Sequence, residues 1–452
     1  MIVLKFPQKN LFRNISVISV AFIFFLQGCG GSSSVTSTPA VPIERTFLLS
    51  SVLVNDCGIE APFTDIELLH QDSNWRTIAV HKSDENGVIT FNTFEESINY
   101  TLVAKNQEGN GVEGLNIESY NQAKTTTVSR YVARHDQNKD QLSCQCLIQD
   151  VELSHKPLTS RETVTSSLVF ERFEVLASNK TLYKNVEVCR ELNGNWPLSS
   201  FVVIGEDFIE EGVGVSTFND NFDANTELVW QLSAFDDAKQ VTLNSSHQAF
   251  NSTQLIQGLS HFPLIVNKNQ PSLLLFNSHI YNSESLYHST ANLVLAEKSS
   301  FFGSVVIESS HSKVSSVASE SFAVKASTVI PDIDDVNFSE IKADGRYDYS
   351  SVKGYPMAVI SFELITFHPT TNLLMPTKWT NYGPEKGVLA ISLPLTGYTD
   401  IVTIDTKKTA IDTVLLKSNT GRGYQDYIQH YQSKLTDDFA NDLKQYHIRI
   451  TQ

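Results

Sequence analysis

The chain has 452 residues, a formal net charge of −16 and 41% hydrophobic residues. An acidic balance of this size argues against nucleic acid as a partner, because phosphates are held by a surplus of Lys and Arg. The length accommodates roughly two to four domains.

The first stretch is an export signal. Lys5, Lys9 and Arg13 stand in residues 1–14 with no acid among them, and Ile15–Leu26 is apolar apart from Ser16 and Ser19. A positive segment, a short apolar run and a small residue before the cut describe a secretory signal peptide over 1–28. The run falls short of the about 20 apolar residues of a spanning helix, so an uncut anchor is the weaker reading. Leu26-Gln27-Gly28-Cys29 resembles the bacterial lipobox. The resemblance implies a diacylglyceryl thioether on Cys29, cleavage before it and acylation of the new amine. Gly30 rather than Asp follows the cysteine, which in that family points to the outer membrane. Two or more acyl chains anchor stably, at about 0.8 kcal/mol per buried CH₂. Losing Lys5, Lys9 and Arg13 with the signal takes the net charge from −16 to −19, so lipid rather than electrostatics is expected to hold the protein at a membrane. Residues 29–43, rich in Gly, Ser, Thr and Pro, read as a flexible tether.

Residues 44–135 form a run of short strands. Apolar residues alternate at Val52/Val54, Ile66/Leu68, Ile78/Val80, Ile89/Phe91 and Ile98/Tyr100/Leu102/Ala104, the period of strands with one buried face. Asp84-Glu85-Asn86-Gly87 reads as a turn with Gly available for positive φ. The order Asp56-Cys57-Gly58, an Asn-Gly turn before Val88–Phe91, then Tyr100-Thr101-Leu102 resembles carboxypeptidase-regulatory-like (prealbumin-like) β-sandwich modules. Such modules are accessory, and the resemblance implies no activity.

Asp136, Asn138 and Asp140 have the spacing of a calcium loop, but Gln141 and Leu147 stand where an EF-hand needs Gly and Glu, so a solvated turn is the preferred reading. Residues 144–326 continue in strands, enough for one or two sandwiches with a join near 250. Ser327–Asn337 reads as a linker, followed by a β-rich region over 337–452. At its end Tyr424, Tyr427, Ile428, Tyr431, Leu435, Phe439, Leu443 and Tyr446 recur in steps of three and four, which predicts an amphipathic helix over 424–446. The fold class expected is therefore mainly β: tandem β-sandwiches (Ig-like or prealbumin-like) with one C-terminal helix.

With Cys29 assigned to lipid, Cys57, Cys144, Cys146 and Cys189 make an even set for an oxidising compartment. A bridge between Cys144 and Cys146, one residue apart, is geometrically poor. That leaves 57–144 with 146–189, or 57–146 with 144–189. A zinc site of the four lacks paired spacing, and no cofactor or metal is expected. No nucleophile elbow, zinc-protease motif or phosphate loop stands in the chain. Weaker candidates are Glu206, Asp207, Glu210 and Glu211 as paired carboxylates, and His279, Tyr281 and His288 as a ring cluster. Trp75, Trp196, Trp230 and Trp379 are possible sugar platforms, Trp196 the best placed. For each, a structural role on a sandwich is the plainer reading. The function expected is a non-catalytic, lipid-anchored envelope protein serving adhesion, assembly or ligand binding, with an envelope protein or glycan as partner. The alternative is a glycan-processing or other hydrolytic lipoprotein whose site is assembled from distant loops.

Overall fold

The computed structural model describes residues 42–107, 113–134, 144–158, 162–205, 212–218, 229–242, 252–264, 272–275, 286–316, 324–331, 345–434 and 441–451, with short breaks inside these ranges. The fold is mainly β with one helix among the described residues.

The first eight strands are β1 (Arg45–Val54), β2 (Glu60–Pro62), β3 (Ile66–Gln71), β4 (Thr77–Lys82), β5 (Val88–Thr93), β6 (Ser97–Gln107), β7 (Glu113–Lys124) and β8 (Ser129–Arg134). β1 pairs antiparallel with β2 and β5 and parallel with β8, while β4, β3, β6 and β7 lie side by side in a second layer. Alternation makes the sandwich: Phe47, Leu49 and Ile89 from one layer meet Leu68, Tyr100 and Leu102 from the other in a shared core. The Asp84–Gly87 turn forms as the sequence predicts. The Asp84 carboxylate accepts the N–H groups of Asn86 (2.9 Å) and Val88 (2.8 Å), and Gly87 has φ 72°. A Cβ there would stand 2.4 Å from the Ser51 carbonyl oxygen, so the close approach of two chain segments requires glycine.

A second sandwich follows. Its strands are β9 (Cys144–Ser154), β10 (Glu162–Ser166), β11 (Arg172–Ala177), β12 (Lys180–Glu191), β13 (Leu198–Gly205), β14 (Gly212–Phe218), β15 (Val229–Ser233) and β16 (Asp236–Asp237). One sheet has the order β11-β12-β9-β15, the other β10-β13-β14-β16. Val151, Leu153, Tyr183 and Val186 meet Val164, Phe201 and Val203 between them. The Tyr183 hydroxyl, deep in this core, donates to the Val202 carbonyl at 3.1 Å, as a buried phenol requires.

The remaining strands are β17 (Lys239–Thr242), β18 (Ser252–Gln257), β19 (Ser260–Leu264), β20 (Ser272–Leu275), β21 (Leu286–Ser300), β22 (Gly303–Ser316), β23 (Arg346–Asp348), β24 (Met357–Phe367), β25 (Leu374–Pro384), β26 (Lys386–Val388), β27 (Ser392–Pro394), β28 (Ile401–Thr403), β29 (Lys408–Ser418) and β30 (Asp442–Thr451). Eight of them join the first sandwich in one sheet of order β19-β18-β21-β22-β30-β29-β24-β25-β7-β6-β3-β4. Segments that the sequence divides at 135, 144, 326 and 337 thus contribute to one sheet. The seam is the parallel pairing of β7 with β25, from Leu115 opposite Thr377 to Tyr120 opposite Tyr382. Trp379, fully buried, crosses it and donates its indole N–H to Ser119 Oγ at 2.9 Å.

The helix differs from expectation. α1 spans Tyr424–Ser433 and ends at Lys434, which takes the left-handed conformation (φ 52°) and donates its N–H to the His430 carbonyl. The sequence predicts helix to 446, yet Leu443 and Tyr446 stand on β30. Tyr446-His447-Ile448-Arg449-Ile450-Thr451 alternates strictly with β-branched residues, a strand pattern whose first members also fit the helical stripe. Pairing settles it: β30 lies between β22 and β29 and bonds to both. α1 docks as its stripe predicts, with Tyr427 and Ile428 buried beside Met357, Tyr382 and Leu416. It also reaches the first sandwich, where the Gln432 amide donates to the Lys124 carbonyl (3.0 Å) and Ser129 Oγ (2.8 Å).

Candidate functional site

The densest reactive chemistry among the described residues is a group of cysteines where the first sandwich meets the second. β9 and β12 run antiparallel with Cys146 directly opposite Cys189. Their Cα atoms are 4.1 Å apart and their sulfurs are bonded. The bond belongs to the first of the two pairings left open by the sequence. Cys57 is also disulfide-bonded, so the three sulfurs are held as disulfides rather than as a thiolate zinc site. Cys57 sits in the turn between β1 and β2. The Asn55 side chain closes that turn by accepting the N–H groups of Cys57 (3.0 Å) and Ile59 (2.9 Å), an Asx arrangement typical of Asn. The turn brings Cys57 Sγ to 2.9 Å from the Arg190 carbonyl oxygen. All three sulfurs lie within 4.8 Å of one another, each half-buried.

The strand behind the sulfurs is fixed by Arg190. Its guanidinium donates to Gln145 Oε1 (3.0 and 2.8 Å) and to the Gly194 carbonyl (3.2 Å). It also stacks over Trp196, 4.2 Å from the ring centroid. Trp196 is only 4% exposed, so the best-placed sugar platform is instead a lid on Val188. Trp379 is buried at the seam. Trp75 donates its indole N–H to the Val388 carbonyl at 2.8 Å and packs on the main core. Trp230 lies on β15 opposite Val151. His288 lies on β21 opposite Gln254 and Val314. Cys29, Asp136, Asn138, Asp140, Glu206, Asp207, Glu210, Glu211, His279 and Tyr281 fall outside the described residues; for Cys144 the strand position alone is described.

Two polar centres escape sequence reasoning. Under α1, the Tyr120 hydroxyl donates to Glu118 Oε2 at 2.6 Å, and Lys434 Nζ lies 3.3 Å from the same oxygen. Tyr100, Tyr120 and Tyr382 stack in sequence with centroids 4.8 and 4.7 Å apart, and Tyr431 lies tilted against Tyr382 at 5.1 Å. Burial, followed by the Glu118 charge, drives the Tyr120 pKa well above the ordinary phenol value, so this phenol stays protonated and donating. Glu118 and Lys434 are 316 positions apart. The available signal is Glu118 sharing strand parity with Tyr120. The second centre is His311, 7% exposed. Its Nδ1 accepts the Lys325 backbone N–H at 2.8 Å, so Nε2 carries the proton and donates to Asp442 Oδ1 at 2.8 Å. With both nitrogens committed, this His–Asp pair ties β22 to β30 and has no lone pair with which to accept a proton from a nucleophile.

A cleft of about 420 Å³ opens where β7, β24 and β25 run side by side, lined by Leu115, Leu364, Ile365, Pro376, Glu363 and Lys378 among others. Its volume is that of a small-ligand site, and the exposed Phe367, Leu373 and Leu374 lie at the same end of the β24–β25 hairpin. Comparison with protein-family models, with curated proteins and with solved structures finds no match to this chain.

Proposed function

We propose that the chain is a non-catalytic, lipid-anchored protein of the bacterial cell envelope, carried on the outer membrane by Cys29. Its β-sandwich modules serve adhesion, envelope assembly or ligand binding. The observation that carries this reading is Leu26-Gln27-Gly28-Cys29 at the end of the apolar run, followed by a tether of small residues. The Cys146–Cys189 bond supports it, because disulfides persist in oxidising compartments such as the periplasm and the cell surface. The aromatic and histidine groups described above support it too, since Trp75, Trp196, Trp379 and His311 are used in holding strands together. The 420 Å³ cleft is the place for a ligand.

The test is acyl labelling. Cells expressing the full chain and fed an alkyne-bearing palmitate analogue are expected to label it in the membrane fraction. Cys29→Ser is expected to lose the label and keep its signal peptide. Equal labelling of the two proteins, or a mature N-terminus elsewhere than residue 29, overturns the reading.

A further inference from the structure

The Cys146–Cys189 bond joins two strands already paired along their length, from Lys180 opposite Ser154 to Glu191 opposite Cys144. Within one sheet it is a local staple. Cys57 comes from elsewhere in the chain, yet its sulfur lies within 4.8 Å of both sulfurs of that staple. A thiolate at this distance needs only side-chain rotation to reach either sulfur. The turn that carries it is held by Asn55 and by the Asn55 N–H bonded to the Ile59 carbonyl at 3.0 Å.

We propose that the cluster is a thiol–disulfide exchange site. An external thiolate attacks the bridge that holds Cys57. It bonds to the other sulfur of that bridge, and the electron pair of the broken S–S bond leaves on Cys57. The Cys57 thiolate then attacks Cys146 or Cys189. One S–S bond forms, the 146–189 bond breaks, and the electron pair passes to the released sulfur as a thiolate. The second step needs no oxidant or reductant beyond the thiol that began it. The substrate class is a small thiol or a dithiol protein, and attack follows the chemistry of mixed-disulfide exchange. When Cys57 attacks Cys146, the released Cys189 thiolate can in turn attack the mixed disulfide and expel the external thiol, and that third exchange completes the second of the two pairings compatible with the sequence. Before the second step the Cys146–Cys189 bond staples β9 to β12; after it that bond is open and Cys57, in the β1–β2 turn, is bonded to Cys146 or Cys189. Because the attacking sulfur is held in place, the second step proceeds at high effective concentration. This inference stands on the sulfur geometry and is independent of the lipid anchor.

The experiment uses the full chain with reduced glutathione as probe, trapping with iodoacetamide over a time course, and peptide mapping without reduction. The expected result is a peptide pair linking Cys57 to Cys146 or Cys189, formed at a rate independent of protein concentration. In Cys57→Ala the 146–189 bond is expected to open at least about tenfold more slowly, since attack must then come from solution. The proposal is overturned if Cys57 is alkylated while 146–189 stays intact. It is equally overturned if the 146–189 bond opens only as a glutathione adduct at the same rate in both proteins. The trapping result on the unmodified chain decides the matter even where the variant folds poorly.

Discussion

The core around Trp379 and the core around Tyr183 are built by the same rule, two β-layers facing inward, and are secured differently. Among the described residues the first gathers 21 buried side chains and the second eight. The larger core holds its parts by packing and by a hydrogen bond across the β7–β25 seam. The smaller one has a disulfide on the sheet that forms one of its walls. A small core buries too little apolar surface to outweigh the chain entropy of ordering it, and covalent closure acts on that entropy term. The contrast is that, among the described residues, the covalent staple stands on a wall of the core with fewer buried side chains.

The largest effect should come from emptying the larger core. Trp379→Ala removes a fully buried indole and leaves Ser119 Oγ without its donor, an expected loss of about 3–5 kcal/mol. Denaturant titration followed by hydrogen exchange is expected to show β7 and β25 opening together, because the indole spans both. Loss of protection confined to β25 would mean that the first sandwich stands without the seam.

A smaller loss is expected from the staple. Cys146→Ala with Cys189→Ala should cost about 2–4 kcal/mol, the usual contribution of a disulfide on the loop-entropy account. Exchange should rise in β9 and β12 while β24 and β25 keep their protection. An equal loss in both regions would show one cooperative unit and break the comparison.

What the sequence conceals follows from where its information lies. The Asp84–Gly87 turn and the alternation of Ile66/Leu68 and Ile98/Tyr100/Leu102 are local, so they can be read directly. Ile78 and Val80, by contrast, alternate in the same way on β4 and are exposed, and β1 buries Phe47 and Leu49 rather than Val52 and Val54. The even cysteine set narrows the bridges to two pairings, and the fold supplies the Cys146–Cys189 member of one. The seam cannot be read, because Leu115–Tyr120 and Thr377–Tyr382 recognise each other only through register over long separation. The helix end fails for a related reason. Steps of three and four through Leu443 and Tyr446 are shared with the first residues of a strand, and only the slot between β22 and β29 chooses between them. Glu118 with Lys434, and His311 with Asp442, are pairs made by that same long-range assembly.

The smallest effect expected is a pH dependence that localises to the first sandwich. His81, on edge strand β4, lies flat on Phe91 with centroids 4.0 Å apart and an interplanar angle of 7°. Burial, and then the neighbouring His70, hold its pKa below the ordinary imidazole value of about 6.5. The His70 ring stands 6.3 Å away, and Glu95 lies 3.5 Å from His70 Nε2. The fold therefore prefers neutral His81, while the unfolded chain takes up a proton near pH 6.5. Stability from this group is present above that pH and lost as pH falls through 6.5 and past the folded value. His447, also lowered chiefly by burial, acts in the same direction from β30. Melting temperature should fall between pH 7.5 and pH 5.5. His81→Phe, which keeps an aromatic ring on Phe91, should reduce that slope without abolishing it, because His447 still titrates. Exchange at pH 5.5 should rise first in β4 and β5. An unchanged slope in His81→Phe would place the acid sensitivity elsewhere, and loss of protection beginning in β30 would assign it to His447 and to the larger core.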